Sequence, residues 1–209
     1  VRRLGDQHFA VDGTPTDCVM LAIQDLVHGA KPDLVLSGVN RGQNLAEDVS
    51  MSGTVAGAIQ GMVLGVPSIA LSQALLVFHD DERAPFETSV AHAPGIIERL
   101  LEIGWPNDAI INLNFPCRPP QDVTEVEVTR QGFRGYNGVH AERRTDPRGR
   151  DYYWMGFREG DVHLGDGTDL TAVAGGRISV TPLHIDLTHT GALGALRGQL
   201  GGAIPRAGR

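Results

Sequence analysis

The chain of 209 residues has two cysteines, Cys18 and Cys117, far apart and without the close spacing of a metal knuckle. That excludes a disulfide scaffold and a cysteine-held zinc site, and it suits two reduced, buried thiols of a cytoplasmic protein. Long apolar runs are missing too, and none is long enough to cross a bilayer, so no membrane partner is expected. The opening Val-Arg-Arg-Leu-Gly-Asp carries basic residues with no apolar core behind them, so it does not read as a signal peptide. Positive charge is short: 18 Lys and Arg face 25 Asp and Glu, a formal charge of −7. A protein that coats a nucleic-acid polymer needs a basic face, and this composition disfavours one. Small phosphorylated ligands stay open, because a metal and a few backbone N–H groups can hold them.

Two nucleotide-binding fingerprints are also absent. No Lys follows the glycine of Ser52-Gly53-Thr54, so this is not a P-loop. Gly38 and Gly42 do not form the spaced triplet of a dinucleotide site, which disfavours an oxidoreductase domain. No repeat or low-complexity tract occurs, and Gly201 to Arg209 reads as a loose tail.

What is present is an alternation of strands and helices. Residues 8–12 alternate weakly as a short strand. Thr14-Pro15-Thr16-Asp17 opens a helix, with a capping hydroxyl, a first-turn proline and an acid near the positive helix end. That helix runs to Gly29. Pro32 to Ser37 suits a buried parallel strand, Thr54 to Leu64 a helix, Val66 to Leu71 a strand, Ala84 to Ile103 a helix, and Ala109 to Phe115 a strand stopped by Pro116. The order predicts an α/β class, a Rossmann-like doubly wound, mainly parallel sheet over residues 1–122. The sheet has few strands for its helices, which points to a first βα unit lying outside this chain. Beyond Pro119-Pro120 the character changes. Val123 to Arg130 alternates as a strand, and 131–168, rich in Gly, Arg and aromatics, reads as a projecting β-arm. Ile178 to Thr181 is strand-like, and Leu193 to Leu200 a short helix. Residues 123–209 thus read as an arm and a C-terminal oligomerisation segment packing on the core. Tyr152-Tyr153-Trp154 in the arm asks for a partner surface, and so for a homo-oligomer.

Ligands of doubly wound sheets sit beyond the carboxyl ends of the strands. The loop leaving the Leu34–Leu36 strand holds Asn40 and Asn44, then Glu47 and Asp48, then Ser52-Gly53-Thr54. Asparagine oxygens are neutral hard ligands suited to Mg2+ or Mn2+, and asparagines are also turn residues. A hydroxyl and a glycine at a helix start present free N–H groups to an anion, or else form an ordinary cap. Glu47 and Asp48 read as a solvated loop before they read as ligands. The same holds for His79-Asp80-Asp81-Glu82, where acids precede a helix. His184, Asp186 and His189 alternate, which suits packing or an interface better than a metal site. Arg143, Arg144, Arg148 and Arg150 either grip phosphate or solubilise the arm.

These residues carry a resemblance. Gly13-Thr14-Pro15-Thr16-Asp17-Cys18, the run from Pro32 through Ser37-Gly38-Val39-Asn40-Arg41-Gly42, and Asp48-Val49 to Ser52-Gly53-Thr54-Val55 keep one family order. Asn112-Leu113-Asn114-Phe115-Pro116, Asp146-Pro147-Arg148-Gly149, Gly167-Thr168-Asp169 and Ser179-Val180-Thr181-Pro182-Leu183 continue it nearly to the end. The chain resembles the SurE stationary-phase survival family of metal-dependent nucleotidases and phosphatases. The resemblance implies a Rossmann-like domain with a protruding arm and an exchanged C-terminal segment, giving homodimers or homotetramers. It implies hydrolysis of nucleoside monophosphates, with 3'-nucleotides and polyphosphate as further candidate substrates, and with one Mg2+ or Mn2+ per subunit. It further implies that Asn40 ligates the cation, that Ser52, Gly53 and Thr54 hold the phosphate, and that Asn44 makes a secondary substrate contact. Two departures stand out. The family's opening strand ending in Asn-Asp-Asp-Gly, with its catalytic aspartate pair, has no counterpart here, nor does a serine that follows it. Met51 also stands where an aromatic residue is usual. The chain is therefore expected to be truncated and inactive alone. The alternative is an inactive anion-binding or assembly scaffold.

Overall fold

The computed structural model describes residues 1–75, 86–135, 139–157 and 165–201. The run His79-Asp80-Asp81-Glu82 lies outside them. A hairpin of β1 (Arg2–Gly5) and β2 (His8–Ala10) comes first. Helix α1 (Pro15–Leu21) follows, and its start is the expected one. Thr14 accepts from the Asp17 N–H, while the Asp17 carboxylate accepts the Thr14 N–H at 2.8 Å and hydroxyl at 2.7 Å. That pair holds the Asp17 carboxyl below its ordinary range. The helix changes character early, passing into a π-helical run over Ala22–Leu26.

The central sheet contains β3 (Val35–Arg41), β4 (Ser68–Gln73), β5 (Ala109–Phe115), β6 (Val126–Val128) and β9 (Ile178–His184) in the order β3-β4-β5-β9-β6. The first three are parallel, β9 runs antiparallel to β5, and β6 is parallel to β9. Residues beyond 122 thus supply two strands of this sheet. Helix α2 (Gly53–Val63) covers one face, where Val55, Ala58 and Met62 pack on Ala70 and Ile110. Its glycines allow close approach: a Cβ at Gly57 would lie 2.6 Å from Ser37 Oγ, and one at Gly61 would strike Ser68. Helix α3 (Glu87–Ile103) covers the other face, setting Ala93, Ile96, Ile97 and Leu100 against Ile69, Leu71, Leu113, Phe115 and Val180. Helices on both faces of a mainly parallel sheet make this the doubly wound architecture that the alternation predicted.

Three differences from the sequence reading have physical causes. Strand β3 continues past Ser37 to Arg41, because ladder hydrogen bonds require no apolar side chains. The strand expected from Val123 to Arg130 shortens to Val126–Val128. The two thiols are half-buried and free rather than fully buried. The arm is a hairpin of β7 (Val139–Thr145) and β8 (Asp151–Phe157), carrying exposed Tyr152, Tyr153 and Trp154, with the Arg144 guanidinium 5.3 Å from the Trp154 ring centre. Short helix α4 (Asp169–Ala174) precedes β9, and α5 (Thr190–Leu200) ends the described chain with no buried residue. Among the described residues no helix is long and apolar enough to cross a membrane.

Candidate functional site

The register of β3 on β4 steps from Ser37↔Ala70 to Asn40↔Ser72, three residues against two. This bulge puts Ser37 and Asn40 on one sheet face, the face that α2 covers, although their spacing would otherwise set them on opposite sides. Gly38 makes it possible. Its φ is +132°, and a Cβ there would be driven into the Leu71 carbonyl oxygen. Asn40 is half-buried at the carboxyl end of β3, and its Nδ2 donates to the Gly42 carbonyl at 2.8 Å. That bond fixes the amide and leaves Oδ1 as its free polar atom among the described residues.

Asn44 is fastened more tightly. Its N–H donates to Asn114 Oδ1 at 2.9 Å and its carbonyl accepts from Asn112 Nδ2 at 2.9 Å and Asn114 Nδ2 at 3.2 Å. Its own Nδ2 donates to Ser72 Oγ at 2.7 Å. Asn44 Oδ1 has no hydrogen-bond partner among the described residues, so it remains available to a ligand. The chain then turns through a short 3-10 run, Ala46–Met51, into α2. Ser52 caps that helix by accepting the Val55 N–H at 3.1 Å. Gly53 and Thr54 are the next residues, and their N–H groups find no acceptor among the described residues. Because α2 joins the parallel neighbours β3 and β4, its positive end lies at the carboxyl edge of the sheet, the edge at which β3 ends in Asn40-Arg41. A cleft of about 180 Å³ opens beside this helix start, lined by Val49, Ser52, Val55, Ile59, Gln131 and Leu183 among others.

Other candidates are spoken for. Asp48 pairs with Arg134 at 2.8 Å, and Glu47 takes the Arg134 N–H at 3.1 Å, so this loop is braced rather than merely solvated. His184 Nδ1 accepts the Asp186 N–H, and His189 Nδ1 accepts the Ala192 N–H as the cap of α5. Bonds from Thr188 hold the Asp186 carboxyl below its ordinary range. In the arm, Arg143 pairs with Asp151, Arg144 with Glu142 and Arg150 with Asp146, so three of its four arginines are already matched by acids. Asn112, Asn114 and Asp169 hold the site loop, and no local motif in the sequence marks them as site residues.

The family model for "Survival protein SurE" matches residues 2–138. The chain belongs to the SurE family. It is 64% identical over 206 residues to "5'-nucleotidase SurE" of Caulobacter vibrioides, covering 99% of this chain and 78% of that protein. To the protein of the same name from Hyphomonas neptunium it is 52% identical, over 90% of this chain and 74% of the other. Among solved structures it is similar to the SurE protein of Aquifex aeolicus, with a TM-score of 0.74 and 40% identity, over 90% of this chain and 73% of that one. SurE proteins are metal-dependent. Among the described residues no three His, Cys, Asp or Glu side chains come together as a metal-holding group. A hard divalent cation needs several oxygens and compensating charge. The described residues therefore offer uncommitted neutral amide oxygens, Asn40 Oδ1 and Asn44 Oδ1, and not a complete site.

Proposed function

We propose that the chain carries the phosphate-holding half of a 5'-nucleotidase site, one that hydrolyses the phosphomonoester of nucleoside monophosphates. The observation that carries this reading is the pairing, at one carboxyl edge of parallel strands in a SurE chain, of a bulge-aimed carboxamide with a capped, anion-ready helix start. Phosphoryl transfer is mostly positioning and charge neutralisation. The Gly53 and Thr54 N–H groups and the positive end of α2 supply both to the phosphate oxygens, and the Ser52 hydroxyl keeps a proton to donate while its oxygen caps the helix. Asn40 contributes a neutral oxygen to one Mg2+ or Mn2+ per subunit, so a dianionic substrate meets a site of net positive charge. The cation, when bound, adds Lewis acidity at the phosphoryl group. The scaffold reading is not favoured, because the relatives named as nucleotidases match across nearly the whole chain.

The protein acts as a homodimer or homotetramer in the cytoplasm. Trp154 and Tyr153 are 55% and 65% exposed, and Leu196 and Leu200 of α5 are uncovered, an apolar load that suits a second copy. A stable monomer by light scattering at micromolar concentration would refute this.

The test of the function uses the full-length protein. It should release phosphate from a nucleoside 5'-monophosphate only with Mn2+ or Mg2+ present. Asn40→Ala should lower Mn2+ affinity and turnover together by about tenfold or more. Ser52→Ala should weaken inorganic-phosphate binding and leave Mn2+ affinity unchanged. Wild-type Mn2+ affinity in Asn40→Ala, with loss in Asn44→Ala, would show that the wrong asparagine has been assigned to the metal.

A further inference from the structure

We propose that Asp169 is a positioning residue for this site, a role that rests on the nucleotidase reading above and that it performs through Ala46. Ala46 lies in the loop between Asn40 and Ser52, fully buried, with a φ of +53°. A residue with a Cβ seldom takes the left-handed region, and it persists there only where its surroundings over-determine it. Both sides of Ala46 are held. Its N–H donates to Asp169 Oδ2 at 2.8 Å, and its carbonyl accepts from Gln131 Nε2 at 2.9 Å. Asp169 is 0% exposed, and its other oxygen accepts the N–H groups of Gly132 and Leu170, each at 2.8 Å. One buried carboxylate thus joins three stretches: the site loop, the root of the arm and the first turn of α4. Charge-assisted bonds of this kind are stronger than neutral ones, and here none is shared with solvent. Leu45 and Ala46 also pack on Leu170, so the polar clamp sits against an apolar contact.

The link to the site is the direction of the chain. Ala46 begins the 3-10 run that ends at Met51, and Ser52 follows as the cap of α2. The rotation held at Ala46 therefore sets where the phosphate-facing N–H groups stand. The isosteric variant Asp169→Asn isolates that link. Its remaining oxygen can still accept from Gly132 and Leu170, while its new NH2 faces the Ala46 N–H, donor against donor. Thr168→Ala is the control. It weakens the cap of the same helix, where Thr168 Oγ1 accepts the Thr171 N–H, and leaves both Ala46 bonds in place.

The experiment measures amide hydrogen exchange by mass spectrometry in the full-length protein, together with inorganic-phosphate binding and the KM and kcat for a nucleoside monophosphate. In Asp169→Asn, exchange over residues 45–49 should rise by about tenfold or more while β4 and β5 stay within about twofold of wild type. Phosphate affinity should fall, and KM rise, by about tenfold. Thr168→Ala should move neither quantity at an equal or larger loss of melting temperature. The clamp is overturned if exchange over 45–49 is unchanged, or if Thr168→Ala loses phosphate affinity equally. If Asp169→Asn does not fold, Gln131→Ala removes the other hold from an exposed position and must speed the same amides; unchanged exchange there overturns the clamp as well. A wild type that neither binds phosphate nor releases it from nucleotides, with exchange still rising in the variant, overturns the nucleotidase reading instead and Asp169's part in it.

Discussion

Replacing Asn114 by alanine tests the brace beneath the site loop. Asn114 is fully buried near the end of β5 and accepts the Asn44 N–H at 2.9 Å, the only acceptor that group has among the described residues. Its Nδ2 also donates to the Asn44 carbonyl, which keeps a second donor, Asn112 Nδ2, when Asn114 is cut back. Asn114→Ala therefore strands one buried N–H, at about 1–3 kcal/mol, and spares the carbonyl. The amide's lost volume adds about 1 kcal/mol if the site does not collapse. The sum is about 2–4 kcal/mol, which in a chain of this size lowers the melting temperature by roughly 4–16 °C.

Asn112→Ala provides the internal comparison. The Asn112 Oδ1 is buried without a hydrogen-bond partner, so its removal costs no bond, and the Asn44 carbonyl keeps Asn114. Asn112→Ala loses one of two donors to a carbonyl, as Asn114→Ala does, and the same amide volume, a penalty of about 1 kcal/mol with no stranded N–H. Urea unfolding followed by far-ultraviolet circular dichroism, with a common slope, gives both values. An Asn112→Ala loss equal to or larger than that of Asn114→Ala would refute the reasoning, as would an Asn114→Ala loss below about 0.5 kcal/mol.

Gly38→Ala should destabilise by more than about 2 kcal/mol, because its Cβ meets backbone rather than a side chain that can swing away, at a φ only glycine takes readily; near-wild-type urea stability would show that the bulge relaxes at little cost. Asp17→Asn bears on acid stability. The Asp17 carboxyl is lowered from 3.8 by its Thr14 bonds, so its contribution is present above that value and is lost as pH falls through the lowered one. The stability gap between wild type and Asp17→Asn should thus be full near pH 7 and close as pH drops below about 4; a gap that widens in acid would contradict the capping box.

Local chemistry made much of the fold readable. The Thr14-Pro15-Asp17 cap, the apolar runs of β3, β4 and β5, and the small residues of α2 each announce their element within a few positions. What escaped had no such signal. Every residue of β1 is exposed, so Arg2 to Gly5 carries no inside-outside alternation to read. The end of β3 is hidden because Asn40 and Arg41 are polar, whereas the ladder is made by backbone groups. Helix α4 spans six residues, too few to show a period, and its signs are the Thr168 cap and the Asp169 that follows.

The site divides along the same line. Asn40 and Ser52-Gly53-Thr54 stand out because their chemistry is written in adjacent residues: a strand end, a turn, a hydroxyl and a glycine before a helix. The residues that aim them are remote. Asn112, Asn114 and Asp169 reach the loop across 68, 70 and 123 positions, and no window along the chain brings them together. One trace of them is nevertheless in the sequence. Asn112 and Asn114 are amides two apart within an otherwise apolar strand, so they share one face of a buried sheet. Buried amides need partners, and although Ser72, Ser179 and Thr181 stand opposite them in the sheet, both amides bond to Asn44. The Asn40–Ser52 loop leaves the same edge of the sheet and brings the Asn44 peptide groups down onto that face. Two polar residues in an apolar strand are thus the signature of the loop that lies on them, and Asn44 is where it lands.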